Sequence, residues 1–214
     1  MDVPLPELRP ALITAMLPGV PFDGWSAVAR DAAATAAGID RDIAALALPD
    51  AATMTDAYTL RADALMVAAM AAAGTGAMKV RARIRFAVKT RLEQAEGDRE
   101  AVRRALVIMS LPTNAAMGAR TLWRTADTMW RAAGDTATDY NHYTKRALLG
   151  AVYSATLLFW LDDDSEGRVD TWAFLDRRID GIMRFEKLKG QLLGGLALLP
   201  DPARFLGRLR YPAV

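Results

Sequence analysis

The sequence predicts an all-α protein. Hydrophobic residues make up 52% of its 214 residues, and Ala, Leu and Met are prominent among them, which favours helix over strand on intrinsic propensity. Apolar residues recur at helical spacing in successive segments, and Gly or Pro interrupts those segments at helix-length intervals. A chain of this size can bury a proper interior, so one domain, or a core with an appendage, is expected.

A first helix is expected over 6–17, stopped by Pro18 and Gly19. After PFDG, the run WSAVARDAAATAAGIDRDIAALALP predicts a helix from Trp25 to Ala37, a turn at Gly38, and a second helix from Asp40 to Ala47. That is helix-turn-helix spacing, which small helical bundles also use. The second helix opens with Asp40, Arg41 and Asp42, which suits the helix dipole and repels a phosphate backbone. No nucleic acid is therefore expected as a partner.

Residues 56–73 predict a helix built around Leu60, Met66, Val67 and Met70, broken by GTGAM. KVRARIRFAVKTRLEQ then places Val80, Ile84, Ala87, Val88 and Leu92 on one face and cations over the rest. A solvated basic face, an anionic membrane surface and an acidic partner all remain open for it. Further helices are expected over 98–109, closed or kinked by Pro112, and over 113–133, ended by Gly134. Asp135 is expected to cap a long apolar helix whose stripe is Ala147, Ala151, Ser154 and Leu158. LDDDSEGRVD reads as a loop, and Asp170 as the cap of a last helix burying Trp172, Leu175, Ile179, Ile182 and Leu188. The tail is apolar and basic, and Phe205, Leu206, Arg208 and Leu209 suit either a bilayer interface or a latch over the body's own groove.

Charge is divided along the chain. Residues 1–78 hold four Arg against nine acids, whereas residues 79–104 hold nine Lys or Arg against four acids. There is no cysteine, which removes disulfides, thiolate nucleophiles and Cys-based metal sites together. No run approaches 18 consecutive apolar residues. The opening MDVPLPELRP lacks the features of a signal or transit peptide, so no cleaved leader is expected.

Catalytic chemistry finds little material. His142 is the one histidine, and Ser154, the serine a relay through it would need, lies 12 residues on, roughly 18 Å along a helix. DDDSEG matches half of a calcium loop, but the twelfth position is Ala173 where a glutamate is required. No phosphate-cradling glycine motif occurs. Neither an enzyme, a metal site nor a cofactor is expected. Trp123 and Trp130 share a helix face with Asp127, which needs a basic partner such as Arg131 if buried. Beyond them MWRAAGDTATDYNHYTKR concentrates polar aromatic groups of the kind that anchor interfaces.

The segment LWRTADTMWRAAGDTATDYNHYTKRALLGAVYSATLLFW, the acidic loop and DTWAFLDRRI resemble the ubiquinone-biosynthesis accessory lipid-binding proteins, the COQ-nine family. The AGD, TD, NxYTKR and DTWxFLxxRI elements carry the likeness, over residues 79 to 195. The resemblance implies a helical bundle like TetR-type regulators with a vestigial N-terminal helix-turn-helix (1–50), a lipid-binding body (51–190) and a membrane-associating segment (191–214). It implies a homodimer, an isoprenoid lipid or polyprenyl quinone intermediate in an apolar cavity, and docking to the di-iron demethoxyubiquinone hydroxylase. The docking patch falls on Met129, Trp130, Asp135, Thr138, Asp139, Tyr140, Asn141, His142, Tyr143 and Arg146, with Asp170 and Trp172 nearby. The family often has a tryptophan where this chain has His142.

Expected cavity-lining residues are Met109, Met117, Leu122, Trp123, Leu148, Val152, Leu157 and Phe159. With no leader expected, the location expected is the bacterial cytoplasm, peripheral on the inner membrane. The rival in a different class is a ligand-responsive transcriptional regulator of the same fold.

Overall fold

The computed structural model describes residues 4–135 and 140–182, without the side chains of 140 and 141. All described secondary structure is helical: α1 (Leu5–Met16), α2 (Val20–Asp23), α3 (Ala27–Ala36), α4 (Arg41–Ala47), α5 (Ala51–Ala72), α6 (Val80–Gln94), α7 (Arg99–Ser110), α8 (Ala115–Ala132) and α9 (Tyr140–Asp162), with short 3-10 turns at Thr75–Ala77, Glu96–Asp98 and Glu166–Arg168. A further helix, α10, begins at 169 and its described part runs to 182. Residues 1–175 form one compact unit and 176–214 a second. The membrane-contact expectation (Phe205, Leu206, Arg208, Leu209) and the boundary expected at 190 lie outside the described residues.

Helix starts follow side-chain chemistry. Ser26 Oγ accepts from Ala29 N at 3.3 Å, Asp40 Oδ1 from Asp42 N at 2.8 Å, and Asp50 Oδ1 from Thr53 N at 2.7 Å. The third cap moves the start of α5 five residues upstream of its expected position, because AATMT carries no clear apolar period. Trp25, expected inside α3, stands just before it, buried, with its indole N–H on Ala101 O at 2.9 Å. The four-residue α2 was not expected.

α5 is the axis of the body, packing on α1, α6, α7 and α8, and α8 in turn packs on α9. Met54, Met66 and Met70 are buried along α5, whereas Leu60 and Val67, expected at its centre, are partly exposed. α1 packs on α3, α4 and α5, so the three-helix start is continuous with the body. On α6 the expected face is buried except at Val80, which is half exposed in the first turn.

Three expectations are corrected. The stripe expected on α9 is largely outward, with Leu158 exposed, and Leu149, Tyr153, Thr156 and Trp160 are buried instead. α9 is apolar almost all round, so periodicity does not select its inner face. Asp135 does not cap α9, which starts at Tyr140, because its carboxylate takes cations from that helix. Asp170 does not cap α10 either. That task falls to Asp163, whose Oδ2 accepts from Thr171 N at 2.9 Å and from Thr171 Oγ1, while Oδ1 takes Ser165 N and Oγ. Burial pushes the Asp163 carboxyl up, but these hydrogen bonds outweigh it and hold the group well below the usual range.

The expected basic face of α6 is also partly spent inside the molecule. Arg83 donates from Nε to Met78 O at 2.8 Å, from Nη1 to Ala133 O at 2.8 Å, and from Nη2 to Gly76 O. It thereby ties the start of α6 to the last turn of α8.

Candidate functional site

Two places combine polar side chains with a defined setting. The first is the junction where α8 ends and α9 begins. Gly134 (φ +87°) turns the chain out of α8, and the Asp135 N–H returns to Trp130 O at 2.9 Å. Arg146, 2% exposed, lies beneath: Nε meets Asp127 Oδ1 at 2.6 Å, and Nη1 meets Asp135 Oδ2 at 3.2 Å and His142 O at 3.1 Å. Lys145 Nζ takes the other Asp135 oxygen at 2.7 Å, and Arg131 takes the other oxygen of Asp127 at 2.7 Å. Burial raises the Asp135 carboxyl, and the bonds from Lys145 and Arg146 more than reverse this, leaving it below its ordinary value.

Aromatic groups sit on this ionic base. The Trp130 indole donates to Lys145 O at 2.9 Å and lies under its ammonium. Trp123 and Tyr143 meet at 6.0 Å between ring centres, and His142 stands edge-on to Tyr143 at 5.1 Å. Tyr143 is 62% exposed and Trp123 38%.

The expected patch is therefore only partly a surface. Trp130, Asp135, His142, Tyr143 and Arg146 come together, but Met129 is fully buried and Arg146 nearly so, which makes them supports. Asp139 and Thr138 lie outside the described residues, as do the side chains of Tyr140 and Asn141. Trp172 does not join them. Its indole donates to Gly167 O at 2.8 Å and lies under Lys89, beyond the other end of α9 and roughly 25 Å along the helix axis from Tyr143.

The second place is a half-open cavity of about 180 Å³ among α5, α6, α7, α8 and α9. Leu122 and Leu157, both expected, line it with Leu92, Val102 and Leu106. Met109, Met117, Trp123, Leu148, Val152 and Phe159 do not: Trp123 faces the patch, and Phe159 is partly exposed and stacks on Phe174 at 4.6 Å.

The cavity also has a polar pole that sequence reasoning missed. Arg91 Nε pairs with Asp63 Oδ1 at 2.8 Å, both side chains at most 6% exposed, and Thr125 Oγ1 donates to Asp63 Oδ2 at 2.9 Å. The Arg91 guanidinium lies over the Tyr153 ring, and Tyr58 and Tyr153 complete the pole. A signal for it exists: Arg91 follows Ala87 and Val88 at helical spacing on the apolar face of α6, and Asp63 does the same before Met66 and Met70 on α5. Charges at core positions announce a buried pair.

Among the described residues no cluster of His, Cys, Asp or Glu could hold a metal, and no helix is long and apolar enough to cross a membrane. Residues 115–186 match the family model COQ9. The human "Ubiquinone biosynthesis protein COQ9, mitochondrial" is 31% identical over 184 residues, 83% of this chain and 58% of that protein. The Xenopus laevis protein "COQ9-B, mitochondrial" is 34% identical over 187 residues, 83% of this chain and 63% of that one. The chain thus spans about three-fifths of the curated relatives it matches. A TetR transcriptional regulator from Nitrosomonas europaea superposes with a TM-score of 0.65 at 20% identity, over 81% of this chain and 97% of that one. The fold is accordingly an all-α, TetR-like bundle. The expected bacterial inner-membrane location is corrected, because these relatives are mitochondrial by name. That expectation leaned on the chain's first residues, which carry no such information in a sequence spanning part of its relatives.

Proposed function

We propose that the chain is a member of the COQ9 family and serves ubiquinone biosynthesis as an accessory protein, binding an isoprenoid quinone intermediate at a membrane and presenting it to the hydroxylase that acts on it. The observation that carries this reading is a half-open, apolar-walled cavity between the helices of the body, two of whose walls, α8 and α9, lie in the segment matching the family. Polyprenyl quinones are almost insoluble, and each CH2 returned to water costs about 0.8 kcal/mol, so such an intermediate needs an apolar enclosure to approach a soluble active site. Trp123 and Tyr143, exposed aromatics on a rigid ionic base, suit an interface anchor for the hydroxylase. In this reading the protein assists catalysis and performs none.

Loss of the gene is expected to lower ubiquinone and accumulate the hydroxylase's substrate, as read by mass spectrometry of lipid extracts. Normal ubiquinone with no accumulated precursor would sink the assignment. The helix pair α3–α4, turned at Gly38 (φ +66°), is read as a helix-turn-helix kept as scaffold. Asp40 caps α4 and Asp42 follows it, so phosphates would meet carboxylates there. Gel shifts on genomic fragments are expected to show no sequence-specific duplex binding, and a specific, competable shift would favour a regulator instead.

A further inference from the structure

Residues 64–92 carry six cations and no acid, and the turn between α5 and α6 falls inside that stretch. Its first part, residues 64–78, carries no charge at all, and the cations begin at Lys79. Within residues 71–80 only Thr75 is buried, and the exposed residues before Lys79 are alanine, glycine and Met78. The turn is firmly made. Gly74 (φ +59°) redirects the chain, the Thr75 hydroxyl donates to Met70 O at 3.2 Å, and the Met78 N–H donates to Thr75 O at 2.9 Å. Arg83 then takes the carbonyls of Gly76 and Met78. Those bonds favour a turn that leaves water, because an unpaired carbonyl is costly there. They also leave the charge of Arg83 in place, since a carbonyl accepts a hydrogen bond without cancelling a cation.

Positive charge backs this tip on both sides. Lys79 and Arg81 are exposed beside it. The third bond of Arg83, to Ala133 O, brings in the end of α8, where Asp127 and Asp135 are met by three cations, Arg131, Lys145 and Arg146. A protein partner would need large side-chain anchors, and the tip offers little beyond Met78 and Val80, 37% and 50% exposed. A layer of anionic headgroups needs no such anchors, because it accepts a shallow apolar tip and holds cations at its phosphates.

We infer that the α5–α6 corner is a contact surface for an anionic lipid bilayer, with Met78 and Val80 among the headgroups and Lys79, Arg81 and Arg83 at the level of the phosphates. The contact uses none of the residues after 182. It gives the body an orientation: α4, with Asp40 and Asp42, joins the other end of α5, about 30 Å along that helix, and faces away from the membrane. That a membrane is where the protein works rests on the reading above, whereas the corner's preference for an anionic surface rests on its charge.

The test places an environment-sensitive fluorophore on the full chain. With no cysteine in the sequence, Met78→Cys and Leu46→Cys each create a single labelling site, and Leu46 is an exposed residue of α4. On vesicles containing about one-third phosphatidylglycerol in phosphatidylcholine, the label at 78 is expected to brighten about twofold or more, and on phosphatidylcholine alone to stay unchanged. The label at 46 is expected to stay unchanged on both. Raising salt from about 50 mM to about 500 mM should abolish the response. Adding Lys79→Gln and Arg81→Gln should raise the vesicle concentration at half-response about tenfold or more. Both side chains are exposed, so the melting temperature is expected to hold; where it does not, the salt dependence of the unsubstituted surface makes the same comparison. A silent label at 78, whether or not the protein sediments with vesicles, would overturn the proposal. So would an equal response to phosphatidylcholine, an equal response at 46, or a response that salt leaves unaltered. A corner contact beside normal ubiquinone in the deletion strain removes the pathway reading and leaves the surface standing. A precursor-accumulating strain whose protein has a silent label at 78 does the reverse.

Discussion

Replacing Asp63 with asparagine is expected to cost about 3–5 kcal/mol of folding stability, because it leaves the buried Arg91 guanidinium without a counter-charge. For a chain of this length that corresponds to a melting temperature lower by roughly 10 °C or more. Asparagine keeps the shape and one acceptor, so the loss reports charge rather than packing. Replacing both partners by apolar side chains, Asp63→Leu with Arg91→Met, removes the desolvated charges together and is expected to recover most of the loss, leaving Thr125 as the only stranded group. Urea unfolding of the two singles and the double closes the cycle. A single-variant cost below about 1 kcal/mol would show that solvent reaches the pair and screens it.

The second large effect is expected at Arg146. Substituting methionine keeps the length and apolar stem of the side chain but removes the one cation that joins Asp127 to Asp135. Each carboxylate keeps a second partner, Arg131 and Lys145, so the expected cost is somewhat below that of a fully stranded charge, about 2–4 kcal/mol at neutral pH. The folded protein holds the Asp135 carboxyl below its unfolded value, so its contribution is present above about pH 4 and lost as pH falls through the depressed folded value. The gap between wild type and Arg146→Met should therefore be widest near neutrality and narrow below about pH 4. A gap independent of pH would assign the loss to packing alone. The same substitution removes the hydrogen bond to His142 O, so it should also loosen the Trp123–Tyr143 surface without touching it.

Local chemistry was legible in the sequence and wiring between helices was not. The expected positions of α3, α4, α7 and α8 hold because a cap or a Gly or Pro stop is written within a few residues of each terminus. The crowding of aromatic and charged groups after Gly134 is likewise visible as composition. The need of Asp127 for a basic partner was foreseen with Arg131, four residues on, but Arg146 comes from the neighbouring helix and no periodicity announces it. The cavity pole draws Tyr58 and Asp63 from α5, Arg91 from α6, Thr125 from α8 and Tyr153 from α9, so it exists only once those helices pack. α9 misled for the opposite reason: a helix apolar on nearly every side gives a period too weak to tell Leu157, on the cavity, from Phe159, near the surface.

The acidic turn after α9 has the composition of a segment open to nicking, with Asp162 and Asp164 largely in water. Its backbone is nevertheless fastened from several directions. Asp163 holds the start of α10, and Arg168 holds Glu96, which also receives the Trp160 indole. A protease needs a stretch of main chain it can draw out and straighten, and here each few residues are anchored to a different helix. Exposure of side chains at this turn is thus separate from access to its peptide bonds, and limited proteolysis is expected to spare the join between α9 and α10.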